Sequence, residues 1–127
     1  MAHFAVLDGS NNVTAVNVIA DADCLDGESE SEAVGIAFCE ALWGAGTYKQ
    51  TSYNNNMRKQ FAKVGGTYDP VRDEYVAPKP SASWTLDSKN DWQPPIPKPA
   101  PNYRWVESAH QADNSTGWIE IIELGDI

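Results

Sequence analysis

The sequence predicts an α+β fold, mainly β. A small N-terminal body of hairpin, helix and strands leads into an extended C-terminal arm of short aromatic β-hairpins and Pro-rich spacers. Three observations predict it. Two β-rich runs near the N-terminus flank a turn-forming Asp-Gly-Ser-Asn-Asn, and a helix-patterned segment follows a capping signal. Beyond these, all eight prolines fall between Pro70 and Pro101, and four of the five tryptophans between Trp84 and Trp118. So abrupt a change of composition marks a change of structural regime. The body is expected over residues 1–66 and the arm over 67–127.

HFAVL (3–7) and VTAVNVI (13–19) read as a hairpin across DGSNN, whose residue types make turns cheaply. In the second run Val13, Ala15, Asn17 and Ile19 share one face, and Thr14, Val16 and Val18 the other. Apolar groups on both faces place that strand inside a sheet or against a helix. DADCLDGESESE (21–32) reads as a solvated acidic loop; its likeness to a calcium loop fails at Leu25 and Asp26, where an oxygen ligand and glycine are needed. Ser29 and Glu32 form a Ser-x-x-Glu capping box before AVGIAFCEALWG. Val34, Phe38, Ala41 and Leu42 recur at helical spacing and Gly44 and Gly46 stop the run, which gives a helix over 30–43 with that stripe on the hairpin. TYKQTSY (47–53) alternates as a strand and ends in Asn54-Asn55-Asn56, while MRKQFAKV (57–64) suits a strand or a short helix before Gly65-Gly66.

The Pro-rich third contains a weak repeat. TYDPVRDEYVAPKP (67–80) and WTLDSKNDWQPPIPKP (84–99) each open on an aromatic and an aspartate, turn through a second aspartate, return to an aromatic and leave through Pro-Lys-Pro. YRWVES…NSTGWIEII is a degenerate third copy, with Trp105 and Trp118 as its aromatics. This pattern predicts miniature hairpins whose aromatics pair across two strands, Tyr68 with Tyr75 and Trp84 with Trp92. Proline cannot continue the ladder, so each exit becomes an extended spacer. A lone hairpin is marginal in water, so these units need a surface to pack on. A polyproline ligand around Pro94-Pro95-Ile96-Pro97 suits the prolines, and a disordered linker suits them too, but neither suits the tryptophans.

The net charge of −9 argues against non-specific nucleic-acid binding, which needs a basic face. No apolar run reaches the roughly 20 residues that span a bilayer, and MAHFAVLDG lacks a basic, apolar leader, so neither membrane insertion nor export is expected. Cys24 and Cys39 are then expected as free, partly buried thiols. A zinc site from Cys24, Cys39, His3 and His110 lacks ligand spacing. No nucleophile elbow, phosphate-cradling loop or His-Glu-x-x-His motif is present, so no catalytic residue and no cofactor are expected.

MAHFAVLD…NVTAVNVIADADCLD, ESEAVGIAFC, QTSYNNNMRKQFA and the paired modules YDPVRDEYVAPKP and SWTLDSKNDWQPPIPKP resemble small virion-associated proteins of marine cyanophages. The resemblance covers nearly the whole chain. It departs at SAHQADNSTG, inserted between Trp105 and Trp118, which leaves the terminal hairpin longer or differently placed. It implies a virion structural protein without catalytic residues. The expectation is a capsid decoration (cement) protein located on the virion, with a tail, baseplate or fibre component as the alternative and a glycan-binding module after that. Its partners would be other virion proteins, the major capsid protein first, with homo-oligomers as a further expectation. The adhesive surface would comprise Tyr68, Tyr75, Trp84, Trp92, Pro94, Pro95, Tyr103, Trp105 and Trp118. At roughly 25 cal/mol per Å² of buried apolar area, a few such side chains would supply several kcal/mol per copy.

Overall fold

The computed structural model describes residues 1–122. They are α+β and mainly β, with one three-stranded sheet, four two-stranded ladders and two helices among the described residues. The chain divides into two compact units, Met1–Pro78 and Lys79–Ile127. Thus the aromatic–proline region beyond Pro78 gathers into a unit of its own.

In the first unit, β1 (Ala2–Leu7) and β2 (Val13–Ile19) form the expected hairpin. Asp8 builds its turn: Oδ1 accepts from the Ser10 and Asn12 amides, each at 2.9 Å. Asn11 takes φ 62°, a left-handed conformation that asparagine tolerates. β5 (Thr47–Thr51) pairs with the far side of β1, giving the order β2-β1-β5. β1 is therefore the central strand and β2 an edge. The register shift between Val6 and Leu7 turns Val13 to the face opposite Ile19, against the strict alternation expected, so this edge strand contributes to the core on both faces of the sheet. The alternation of β1 sorts the core: Ala2 and Phe4 join Ile19, Cys24, Cys39 and Tyr48, while Ala5 and Leu7 join Val13, Ala62, Tyr68 and Tyr75. Cys24 and Cys39 are free and buried, and burial raises both thiol pKa values.

The acidic segment makes a short 3-10 turn, Asp21–Cys24, and a ladder of β3 (Leu25–Asp26) with β4 (Ser29–Glu30). That ladder occupies Ser29, so the helix cap moves to Ser31, whose Oγ accepts from the Val34 amide at 3.3 Å. Helix α1 runs Glu32–Trp43. Its buried positions are Gly35 and Cys39, with Ile36 and Phe38 partly packed, whereas Ala41 and Leu42 face water. The expected stripe is rotated because the contact is made through a glycine. A Cβ at residue 35 would lie 2.8 Å from Phe4 Cε2 and 2.9 Å from Cys24 Sγ, so the bare backbone is what lets the helix settle on β1.

Residues 57–64 are neither strand nor helix. Arg58 and Lys59 have φ of 51° and 74°, and the coil is pinned by Phe61 N–H to Asn55 Oδ1 at 2.7 Å and Ala62 N–H to Thr51 Oγ1 at 2.8 Å. β6 (Thr67–Asp69) and β7 (Glu74–Val76) then pair with Tyr68 opposite Tyr75, as the repeat predicts. Both rings are buried in the second core cluster, and Tyr75 Oη lies 3.0 Å from each of the Lys49 and Gln50 carbonyls. This packing carries the compact unit past the expected boundary at 66 to Pro78.

Candidate interaction surface

Among the described residues, four strands and a helix build the second unit. β8 (Thr85–Leu86) pairs with β9 (Trp92–Gln93), and β10 (Tyr103–Trp105) with β11 (Trp118–Glu120). The β8–β9 turn repeats the device of the first hairpin: Asp87 Oδ1 accepts from the Lys89 and Asp91 amides at 2.8 and 3.0 Å, and Asn90 takes φ 60°. SAHQADNSTG, expected to lengthen or displace the terminal hairpin, supplies most of α2 (Glu107–Ala112) and the turn into β11.

Trp105 and Trp118 are register partners and meet edge-on at 5.2 Å. Trp84 completes a three-indole box, 6.1 Å from Trp105 and 6.2 Å from Trp118. Gly117 lets Trp105 lie on the backbone, since a Cβ there would stand 3.0 Å from Trp105 Cζ2 and nearer still to two other ring carbons. Glu107 organises the box by accepting from Ser83 Oγ (2.6 Å), Gln111 Nε2 (2.6 Å) and Trp105 Nε1 (3.0 Å). Hydrogen bonds from Ser83, Gln111 and Trp105 hold its carboxyl down to about 2. Buried His110 packs on Trp105 at 5.1 Å and donates from Nδ1 to the Thr116 carbonyl at 2.7 Å.

Beside the box lies an open, mainly apolar groove of about 350 Å³, lined by Trp84, Gln93, Pro94, Pro97, Lys98 and Trp118. Trp118 Nε1 donates to the Ile96 carbonyl at 2.7 Å and so fixes the proline wall against the indoles. The Lys98 ammonium lies 5.5 Å above the Trp118 ring, and Lys79 lies 5.9 Å above Trp92. In the first unit Lys49 stands likewise over Tyr68, at 5.4 Å. Each ring is covered by a lysine from upstream in the chain.

Of the nine side chains expected at the surface, Trp84, Pro94 and Trp118 line this groove, and Trp105 supports it from behind. Pro95 is exposed outside the groove lining. Tyr103 donates from Oη to Glu120 at 3.2 Å. Tyr68 and Tyr75 are core residues of the first unit, not surface anchors. Trp92 does not pair with Trp84: the register sets it opposite Leu86, and Trp84 lies before the two-residue strand begins. Sequence reasoning met Pro97 and Lys98 only within the polyproline run, and it missed Gln93 and the supporting Glu107, His110 and Gly117, of which Glu107 and Gly117 stand beside the paired tryptophans.

The first unit holds one charged constellation. Arg58 binds Glu32 through two nitrogens at 2.6 and 3.0 Å, Asp73 through Nε at 2.8 Å and the Gln50 carbonyl at 2.8 Å, while Tyr68 donates to Asp73. Burial pushes the Glu32 pKa up, but hydrogen bonds from Arg58 and the Gln50 amide outweigh it and the net shift is downward. Hydrogen bonds from Tyr68 and Arg58 likewise depress Asp73. The network ties the 57–64 coil to the N-terminus of α1 and to the β6–β7 turn, which is a structural task. Among the described residues no helix is long and apolar enough to cross a membrane, and no three His, Cys, Asp or Glu side chains are grouped to hold a metal ion.

No family model, no curated protein and no solved structure matches the chain.

Proposed function

We propose that the chain is a non-enzymatic structural protein of a phage virion, a decoration protein that grips the head through the tryptophan–proline face of its second unit. The observation that carries this reading is the groove of about 350 Å³ beside the Trp84–Trp105–Trp118 box. Rigid indoles and prolines bury apolar area at little cost in side-chain entropy, which is the chemistry of interface anchors. Among the described residues the strands of this unit form two-stranded ladders, and short ladders of this kind suit further protein contact. Other virion proteins, the major capsid protein first, are the partners this chemistry fits.

The test uses particles of the encoding phage stripped of the protein. Wild-type chain should rebind heads, and Pro97→Glu/Lys98→Glu, which alters exposed groove residues and leaves the three indoles in place, should not. Retention of that variant on heads refutes the groove as the contact. A low copy number in symmetric sets on the tail, seen by microscopy, refutes the head location in favour of a tail component.

A further inference from the structure

The tryptophan–proline face leaves one sequence motif unused: Gln50-Thr51-Ser52-Tyr53-Asn54-Asn55-Asn56. In the first unit, six of its seven residues line a recess of about 330 Å³, together with Glu30 and His3. We propose that this recess binds a neutral pyranose ring, one sugar unit of a glycan.

The first argument is an aromatic platform. Tyr53 is 71% exposed, yet it is held in place by other rings. The His3 imidazole lies nearly parallel to it at 6.1 Å, and Phe61 meets it edge-on at 5.9 Å. Phe61 also meets His3 edge-on at 5.5 Å, which closes a three-ring cluster. A fixed, solvent-facing ring offers the flat surface on which the C–H face of a pyranose stacks.

The second argument is the set of polar groups around that platform. Gln50 Nε2 donates to the Glu30 carboxylate, which orients both side chains. Asn54 and Asn56 line the same recess, and among the described residues neither side-chain amide has a hydrogen-bond partner. An amide both donates and accepts, so it matches a pair of vicinal hydroxyls. A few convergent polar groups of this kind fix the orientation of a ligand in a concave site. Their positions are set in advance. Asn55 N–H closes a turn on the Ser52 carbonyl at 3.1 Å, Asn54 N–H bonds Ser52 Oγ at 3.3 Å, and Asn55 Oδ1 accepts from Phe61 N–H at 2.7 Å.

The lining disfavours other ligands. It holds the Glu30 carboxylate and no Lys or Arg side chain, and the Met1 ammonium at its edge is paired with Asp21 at 2.8 Å, so an anion finds no unpaired countercharge there. An organic ammonium ion is the nearest competitor, because Glu30 and the Tyr53 ring would both attract it.

The full-length chain, labelled with nitrogen-15, is titrated with the methyl pyranosides of glucose, galactose, mannose and N-acetylglucosamine, and separately with tetramethylammonium chloride. At least one pyranoside should shift the Asn54 and Asn56 side-chain amide signals saturably at millimolar concentration, with the Trp118 indole signal unmoved. Tyr53→Ala should weaken that binding by about tenfold or more, and Tyr53→Phe should retain most of it. Asn56→Ala should weaken it with the thermal unfolding midpoint unchanged. The proposal is overturned if no pyranoside gives a saturable shift, or if only tetramethylammonium does. Because this readout is confined to the first unit, it stands or falls apart from binding to the head.

Discussion

Placing alanine at Gly117 tests whether the tryptophan box is as closely packed as its geometry implies. The added methyl would stand 3.0 Å from Trp105 Cζ2 and nearer to Cζ3 and Cη2, whereas carbon atoms rest about 3.5 Å or more apart. The indole would have to retreat by about 1 Å. It has nowhere to go: Trp118 lies at 5.2 Å, His110 at 5.1 Å and Trp84 at 6.1 Å, and its N–H is held by Glu107 at 3.0 Å. Overpacking of this kind costs about 1–3 kcal/mol, and a disrupted aromatic pair adds about 1 kcal/mol. A core this small rarely supplies more than about 3–5 kcal/mol, so the substitution removes most of the stability of the second unit. Urea unfolding followed by tryptophan fluorescence reads this directly, because four of the five tryptophans belong to that unit. With a slope of about 1 kcal/mol per molar urea, the midpoint should fall by about 2 M or more. Adding Trp105→Leu, which makes room for the methyl, should give a double variant more stable than the two separate losses predict. A Gly117→Ala midpoint equal to wild type would refute the packing argument.

Two further outcomes follow from the first unit and from Glu107. Gly35→Ala gains about 1 kcal/mol in helix propensity, but the Phe4 and Cys24 contacts at 2.8 and 2.9 Å should outweigh it; a calorimetric scan should show a lower melting temperature, and a rise would refute the close approach of α1 to β1. Glu32, Asp73 and Glu107 all have folded pKa values below their ordinary ones. Such carboxyls bind protons less readily folded than unfolded, so their stabilisation is complete above the unfolded pKa and is lost as pH falls through the folded one. For Glu107 that window runs from 4.5 down to about 2, and Glu107→Gln should flatten the acid limb of the second unit's stability profile; an unchanged profile would refute the assigned role.

The parts legible in sequence were those fixed by local chemistry. Aspartate-seeded turns at Asp8 and Asp87 and the cross-strand pairs Tyr68–Tyr75 and Trp105–Trp118 followed from spacing alone. The α1 stripe did not, because hydropathy gives no weight to a glycine, and Gly35 is the point of contact. Neither did the partner of Trp84, since a two-residue strand cannot fix a register from pattern. Helix α2 has no side-chain cap and only six residues, so it leaves little trace in sequence. The groove was hidden for another reason: it depends on Trp118 reaching the Ile96 carbonyl, 22 residues upstream. The Tyr53 recess belonged to a motif whose distinctiveness was visible, but whose concavity exists only once β5 is paired.

The lysines that cover the rings redraw the repeat. Lys79 leaves the first aromatic hairpin yet lies over Trp92 of the second, and Lys98 leaves the second yet lies over Trp118 of the third. The first unit accordingly ends at Pro78, immediately before Lys79. The segment that could be copied or deleted in one piece without stranding a ring is therefore a spacer together with the hairpin after it. Length variants built from this chain should be spliced ahead of each Pro-Lys-Pro lysine, never behind it.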